Sequence, residues 1–399
     1  MSAILILLAL LSLGTLASRQ GAVQLLARVA ATPILVGLGY ALFSRSALAF
    51  VPPSTTDELQ PALRIGCVWM ALMLSLSVPR PGRSARSMRN ASLPLLVALG
   101  TGGLTTLASY AALVALGEGW KGGYGGAWTS LPMIGVAVVV GGLVQGSAST
   151  RASGPELRSG LTTFIRPGEV TLHEEALAVV VACIALAVWP DASRTGVYAF
   201  GWLAIPILVL LGATAAVVQR LVSFGNEDTE ARTINLLGLV ILLTGFVHGL
   251  SMPAVPVVFF FGLFLSLTRL GRGLLARLAG TERPVRMVVL VLTGAYIGFK
   301  LGPVCVGVAA GVARAGAKWL AGTLLRRAGL EVSLPALLSA PRLAVPLAIS
   351  LTWSENLSLR ESGLITAVVV ALTVSDLITL IVLLARPREQ SLRTAEVRS

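Results

Sequence analysis

The stretch LHEEALAVVVACIALAVW, residues 172–189, places two adjacent glutamates directly before a long apolar run. The hydrocarbon core of a bilayer is about 30 Å thick and needs about 20 mostly apolar helical residues to cross it. The stretch is therefore predicted to belong to a transmembrane helix. Glu175 lies about 12 Å along that helix from Pro167, at about 1.5 Å per residue, which places the acids inside the membrane.

The rest of the chain repeats this pattern of apolar spans with short polar connections. Of its 399 residues, 55% are hydrophobic and only 12% are charged, whereas soluble domains carry about 25% charged residues. A water-soluble enzyme and a disordered chain are therefore excluded. We predict an all-α polytopic membrane protein with about 13 transmembrane helices. The predicted spans are 2–17, 30–50, 60–79, 91–116, 129–149, 168–189, 197–218, 234–251, 253–268, 286–302, 303–325, 335–353 and 363–385.

The polar connections are too short to fold into a domain of their own. The longest are 150–167, 219–233, 269–285 and 386–399, and none of them can bury a core. Residues 2–385 are therefore predicted to form a single transmembrane transporter domain, followed by a short cytoplasmic tail, 386–399. The three cysteines lie in apolar runs and the two histidines are isolated, so neither a disulfide framework nor a zinc site is expected, and no cofactor is predicted.

The net charge of +13 is carried mainly by arginines in the connections. With the N-terminus outside, 22 basic residues fall on the inner side and six on the outer side, a strong positive-inside bias. We therefore predict a multi-pass protein of a bacterial inner membrane, with the N-terminus outside and the C-terminus in the cytoplasm. The basic connections have almost no aromatic residues on which bases stack, so a nucleic-acid partner is excluded.

Glu174 and Glu175 are the first candidates for an ion site. An ionisable group costs roughly 2.5–3.5 kcal/mol to insert into a span, and it therefore faces the protein interior. Two adjacent carboxylates in a low dielectric do not both ionise easily, which suits a site where a proton and a monovalent metal cation compete. The alternative is that the helix begins at Glu174 and both carboxylates lie in the interface, favoured by the helix dipole.

Two basic residues lie within the span 303–325. Arg314 and Lys318 are four residues apart and therefore share a helix face. Lys318 lies about 12 Å from Arg326, the same depth as Glu175, and a buried ammonium group needs a carboxylate partner. We therefore predict that Lys318 pairs with the acids. The alternative is that its side chain snorkels to the inner interface.

The span 363–385 contains the most deeply placed acid. Asp376 lies about 15 Å from Arg386, where it either pairs with a basic group or takes part in transport. In the preceding span, Arg342 lies between Pro341 and Pro346. Because proline interrupts the helical hydrogen bonds, this span is predicted to be broken at the arginine.

A second interruption is predicted at GGLVQGSAST, residues 141–150, where glycines and serines weaken the helix. Two interrupted helices at corresponding places in two halves of a chain point to a transporter binding site. The small residues alone also suit ordinary helix packing.

Four stretches of the chain resemble a known family. VAVVVGGLVQGSAST (136–150) resembles the first unwound helix of the monovalent cation:proton antiporters, most closely the cation:proton antiporter-2 group. LHEEALAVVVACIA (172–185) resembles the following helix, which carries a Leu-Asp-Asp motif in that family. GFVHGLSMPAVPVVFFFGLFLS (245–266) resembles its Gly-Leu-Ser helix pair. ARAGAKWLAG (313–322) and LPALLSAPRLAVPLAI (334–349) resemble its basic helix and its second unwound helix.

The resemblance implies two inverted repeats with two crossed discontinuous helices. It also implies a mobile core, about 91–189 and 303–385, and a scaffold, about 2–79 and 197–302, through which the protein forms a homodimer. By position, Glu174 and Glu175 would bind the cation and the proton, and Lys318 would be the basic partner of Glu174. The residues expected to support the site are Ser147, Ser149, Thr150, Arg314 and Arg342, with Asp376 as a further ion-binding or proton-binding residue.

The implied function is exchange of a monovalent cation, Na⁺ or K⁺, for protons by alternating access. Two departures from the family pattern leave alternatives open. Glutamates replace both aspartates, and SAST (147–150) replaces the family's Asp-Pro or Ser-Pro. The alternatives are an ion channel or effector derived from a transporter of the same fold, and a sodium-coupled carrier of organic anions.

Overall fold

The fold is known from a computed structural model. It describes residues 31–43, 58–77, 85–120, 133–144, 167–188, 202–224, 228–250, 252–327, 342–354 and 363–385. Every regular element within these ranges is a helix, so the predicted all-α class is confirmed.

The α-helices of the described ranges are numbered here in chain order. They are α1 (Ala31–Phe43), α2 (Gln60–Leu76), α3 (Ala85–Leu116), α4 (Met133–Val144), α5 (Pro167–Val188), α6 (Ala204–Val222), α7 (Thr229–Gly249), α8 (Ala254–Ser266), α9 (Arg269–Leu278), α10 (Glu282–Gly294), α11 (Leu301–Arg327), α12 (Ala344–Ser354) and α13 (Gly363–Ala385). Short 3₁₀ turns, Gly117–Trp120 and Ala279–Thr281, follow α3 and α9.

The predicted span 286–302 is not one helix: α10 ends at Gly294, residues 295–300 are not helical, and α11 begins at Leu301. The span 2–17 and the tail 386–399 lie outside the described residues, and each of the other predicted spans overlaps a single helix. Within the described ranges, five helical segments are long and apolar enough to cross a membrane by length and composition, namely Leu95–Trp120, Ala204–Val222, Glu230–Gly249, Leu301–Arg327 and Gly363–Val382. The total of about 13 transmembrane helices and the crossing of two broken helices stay predictions.

The segment 269–285, predicted to be a polar connection, contains α9 and the start of α10. Leu270, Leu274 and Leu278 recur at four-residue spacing in α9, which gives a helix one apolar face. Leu274 and Leu278 are buried, and α9 packs against α8 and α2. The prediction was wrong because it relied on the many charged residues of the segment and did not consider the four-residue spacing of its leucines.

The helices pack in two sets, and both sets contact α12. In one set, α3 packs with α4 and α5, and α11 packs along α13 and α3. In the other, α2 packs with α8 and α10, and α10 also packs with α1. The short helix α12 contacts α13 and α5 on one side and α2 and α8 on the other. The division into a mobile core and a scaffold stays a prediction.

Candidate functional site

The central feature of the candidate site is the carboxylate of Glu175 on α5, which is fully buried. Its Oε1 accepts a hydrogen bond of 2.6 Å from the main-chain N–H of Arg342, and its Oε2 accepts one of 3.1 Å from that of Leu343. These residues directly precede α12. The first N–H groups of a helix have no partner within it and carry partial positive charge, so Glu175 satisfies donors that would otherwise be unpaired.

Helix α5 begins at Pro167 and runs past both glutamates. The alternative in which the helix begins at Glu174 is therefore wrong, and Glu175 lies within the helix as its depth predicts. The side chain of Glu174 lies outside the described part of the structure, as do Ser147, Ser149 and Thr150. Their roles stay predictions.

Arg342, just before the start of α12, contacts two acidic residues. Its main chain binds Glu175, and its guanidinium forms an ion pair with Glu282 at the start of α10. Helix α12 begins at Ala344, between the two prolines of the predicted interruption, and Pro346 falls in its first turn. Proline is tolerated there because the first N–H groups of a helix lack internal partners.

Glu175, Arg342 and Glu282 form a charged cluster to which Arg286 on α10 also belongs. The sequence analysis missed this arginine. Its positive charge attracts Glu175, Asp376 and Glu282 and is repelled by Arg342. It was overlooked because the predicted span begins at residue 286, which counted this arginine with the inner connections. The four-residue spacing of Glu282 and Arg286, typical of a helical ion pair, was a usable signal.

Asp376 on α13 is the second buried carboxylate of the cluster. It accepts hydrogen bonds from the hydroxyl and the main-chain N–H of Thr32, at the start of α1. The charges of Arg286 and Arg314 act on it. Asp376 therefore binds the start of α1 in the way that Glu175 binds the start of α12.

Arg314 and Lys318, within α11, are both fully buried. Arg314 donates a hydrogen bond from Nη1 to the hydroxyl of Ser375, next to Asp376. The complete burial of Lys318 contradicts the snorkelling alternative. The described hydrogen bonds of Glu175 lead to α12 rather than to Lys318, and the pairing of Lys318 with Glu174 stays a prediction.

The comparison with solved structures identifies the fold. The sodium proton antiporter MjNhaP1 from Methanocaldococcus jannaschii, in a structure determined at pH 8, superposes with a TM-score of 0.60. The match covers 96% of this chain and 98% of that chain, at 15% sequence identity. The sequence matches no family model and no curated protein. The chain therefore has a cation:proton antiporter-like fold and is an integral membrane protein, and the family resemblance predicted from the sequence is confirmed at the level of the fold.

Proposed function

We propose that the protein is a secondary transporter that exchanges a monovalent cation, Na⁺ or K⁺, for protons across the membrane by alternating access. The observation that carries the proposal is the burial of Glu175 among charged groups at the start of a short helix. A carboxylate in that place must be stabilised by charge or hydrogen bonds. The chain also has a fold similar to that of a sodium proton antiporter, which favours ion exchange at this carboxylate.

In the proposed cycle, a proton and the cation compete for the carboxylates of Glu174 and Glu175. Protonation on one face of the membrane releases the cation, and deprotonation on the other face allows a new cation to bind. Lys318 neutralises Glu174 when the site is empty, and Ser147, Ser149 and Thr150 line the first broken segment. Asp376 adds a second buried acid, with Arg314 as its basic neighbour and Arg342 at the start of α12.

The proposed architecture follows the same fold. Helix α12 begins at Ala344, after the non-helical residues 342 and 343, which supports a discontinuous helix within the predicted span 335–353. We propose that residues 91–189 and 303–385 move as the core against a dimeric scaffold. The N-terminus then lies outside and the C-terminus in the cytoplasm of a bacterial inner membrane.

The experiment measures cation-dependent proton movement in proteoliposomes with an internal pH-sensitive dye. Acid-loaded vesicles receive Na⁺, K⁺, Li⁺ or Rb⁺ outside, and the rise in internal pH is recorded. We expect an exchange signal in the wild type, and in Glu175→Gln a loss of at least about 100-fold, typical of a group in direct contact with the transferred ion.

Glu230→Gln is the matched control because Glu230 lies exposed at the start of α7. It removes the same charge at a distance from the cluster, and it should leave the signal unchanged. Melting temperatures of all three proteins in detergent show whether each is folded. A folded Glu175→Gln protein with wild-type exchange would refute this mechanism.

The glutamate-for-aspartate replacements favour a channel as the second candidate. A channel of this fold gives unitary current steps in planar bilayers without coupled proton movement. Proton-coupled flux without such steps excludes it. Sodium flux that depends on an added organic anion would instead indicate the carrier alternative.

A further inference from the structure

Arg342 is held through its side chain as well as through its main chain. Its guanidinium forms an ion pair with the carboxylate of Glu282, in the first turn of α10. Its main-chain N–H donates a hydrogen bond of 2.6 Å to Oε1 of Glu175, and the N–H of Leu343 donates one of 3.1 Å to Oε2. A contact of the Arg342 side chain therefore bears directly on the placement of two donors to the buried carboxylate.

The two donors belong to residues just outside a helix. Residues 342 and 343 are not helical, and α12 begins at Ala344. Because N–H groups at the start of a helix have no partner within it, the direction of this backbone depends on other contacts. The ion pair with Glu282 is one of them. Its side chains are 16% exposed for Arg342 and 27% for Glu282, so water and salt screen it less than a fully exposed pair.

The start of α10, which carries Glu282, is itself held by neighbouring helices. The hydroxyl of Thr281, directly before α10, accepts a hydrogen bond of 2.9 Å from the indole N–H of Trp69 on α2. The same hydroxyl donates one of 2.7 Å to the carbonyl oxygen of Leu278 in α9. Trp69 is buried, and α10 packs along α1 and α2. The ion pair therefore ties Arg342 to a helix start that is fixed from outside the site.

We propose that Glu282 is a positioning residue of the ion site. Through its ion pair with Arg342, it holds the N–H groups of residues 342 and 343 against Glu175, and the orientation of this carboxylate sets the affinity for the transported cation. The cation binds the carboxylate of Glu175 and does not contact Glu282. This inference rests on the proposed exchange function and names a residue that determines cation affinity in that exchange.

A metal ion and a proton place different demands on a carboxylate. A hard metal ion binds several oxygen ligands at defined distances, so a carboxylate that turns away from its position loses affinity for the ion. A proton binds a single oxygen and tolerates such a change of direction. Loss of the ion pair should therefore weaken cation binding more than proton binding. Groups that orient a metal ligand typically contribute about 10-fold to 100-fold in metal affinity.

The test measures Na⁺-dependent proton movement in proteoliposomes over a series of Na⁺ concentrations at one alkaline pH. In Glu282→Gln, we expect the KM for Na⁺ to rise about 10-fold, while the maximal rate at saturating Na⁺ stays within about 2-fold of the wild-type rate. Glu282→Asp keeps the negative charge and should restore part of the affinity. A residue needed only for folding would instead lower the maximal rate, through loss of active protein, and leave the KM unchanged.

Glu230→Gln is the matched control, because Glu230 is an exposed glutamate in the first turn of α7. Both substitutions remove one negative charge near the start of a helix, so an effect of the helix dipole or of net charge would appear in both. Arg342→Gln removes the ion pair from its other end and keeps both main-chain N–H groups. If Glu282 acts through Arg342, the double variant should have the KM of the single variants rather than the product of their effects.

The outcomes separate this inference from the proposed function. A wild type that exchanges Na⁺ for protons, together with an unchanged KM in Glu282→Gln, overturns the inference and leaves the function standing. Multiplied effects in the double variant also overturn it, since the two residues would then act independently. A wild type without exchange overturns both. If Glu282→Gln does not fold, Arg342→Gln decides, and an unchanged KM there overturns the inference.

Discussion

The helices α1 and α10 approach each other backbone to backbone, and the approach depends on glycine. A Cβ atom built on Gly39 would lie 1.8 Å from the carbonyl oxygen of Val291, and one on Gly294 would lie 2.3 Å from that of Val36. Both distances are below 3.0 Å, and real Cβ atoms essentially never lie that close to another heavy atom. Glycines allow this spacing between membrane helices because they carry no side chain.

We predict that Gly39→Ala forces the two helices apart. Ordinary contact begins at 3.4 Å, so the Cβ–oxygen separation must grow by 1.6 Å. Overpacking costs typically about 1–3 kcal/mol, and the upper end applies because the obstacle is backbone rather than a flexible side chain. At roughly 2 °C per kcal/mol for a large chain, the melting temperature should fall by about 4–6 °C.

Gly37→Ala is the control on the same helix, since no atom lies within 4 Å of its built Cβ. Alanine is a better helix former than glycine by up to about 1 kcal/mol, so this variant should melt at or slightly above the wild-type temperature. The measurement is thermal unfolding in detergent, followed by size-exclusion chromatography of the heated samples. Equal melting of the two variants would show that α1 and α10 are not in backbone contact.

Two further predictions concern the buried acid of α13 and the contact of α13 with α11. Asp376→Asn should destabilise the protein by about 3 kcal/mol, because it removes the buried negative charge that faces Arg286 and Arg314. Asp228→Asn, at the exposed cap of α7, should change stability by less than about 0.5 kcal/mol, and equal melting of the two variants would refute the buried pairing. Gly311→Leu should reduce the yield of monodisperse protein, since its built Cβ lies 2.5 Å from the carbonyl oxygen of Ala371, whereas Gly316, with nothing within 4 Å, should accept leucine. Size-exclusion profiles that do not differ would contradict the close packing of α11 and α13.

The helical architecture was predictable because a span of about 20 apolar residues is a strong signal that needs no tertiary information. The limits of α13 agree with the predicted 363–385, and α5 differs from its prediction by one residue at each end. The burial of Glu175 and Lys318 followed from their depth in the spans. Helix α9 was missed because its arginines made a short amphipathic helix resemble a loop.

The partners of the buried acids were harder to predict than their burial. Glu175 binds main-chain N–H groups of residues 342 and 343, and Asp376 binds Thr32. Main-chain donors exist at nearly every residue, so no residue type marks these sites in the sequence. The search for a basic partner favoured Lys318, the lysine of equal depth, because side-chain charge is visible in a sequence and helix ends brought together by folding are not.

The way in which the two acids are held bears on the proposed exchange. Each accepts hydrogen bonds at the start of a helix, where N–H groups carry only partial positive charge. A full positive charge fixed on the same oxygens would compete directly with a transported cation in a low dielectric. N–H donors use one lone pair on each oxygen of Glu175 and leave the others to a proton or a metal ion. In the proposed cycle, the start of α12 can therefore hold the carboxylate throughout.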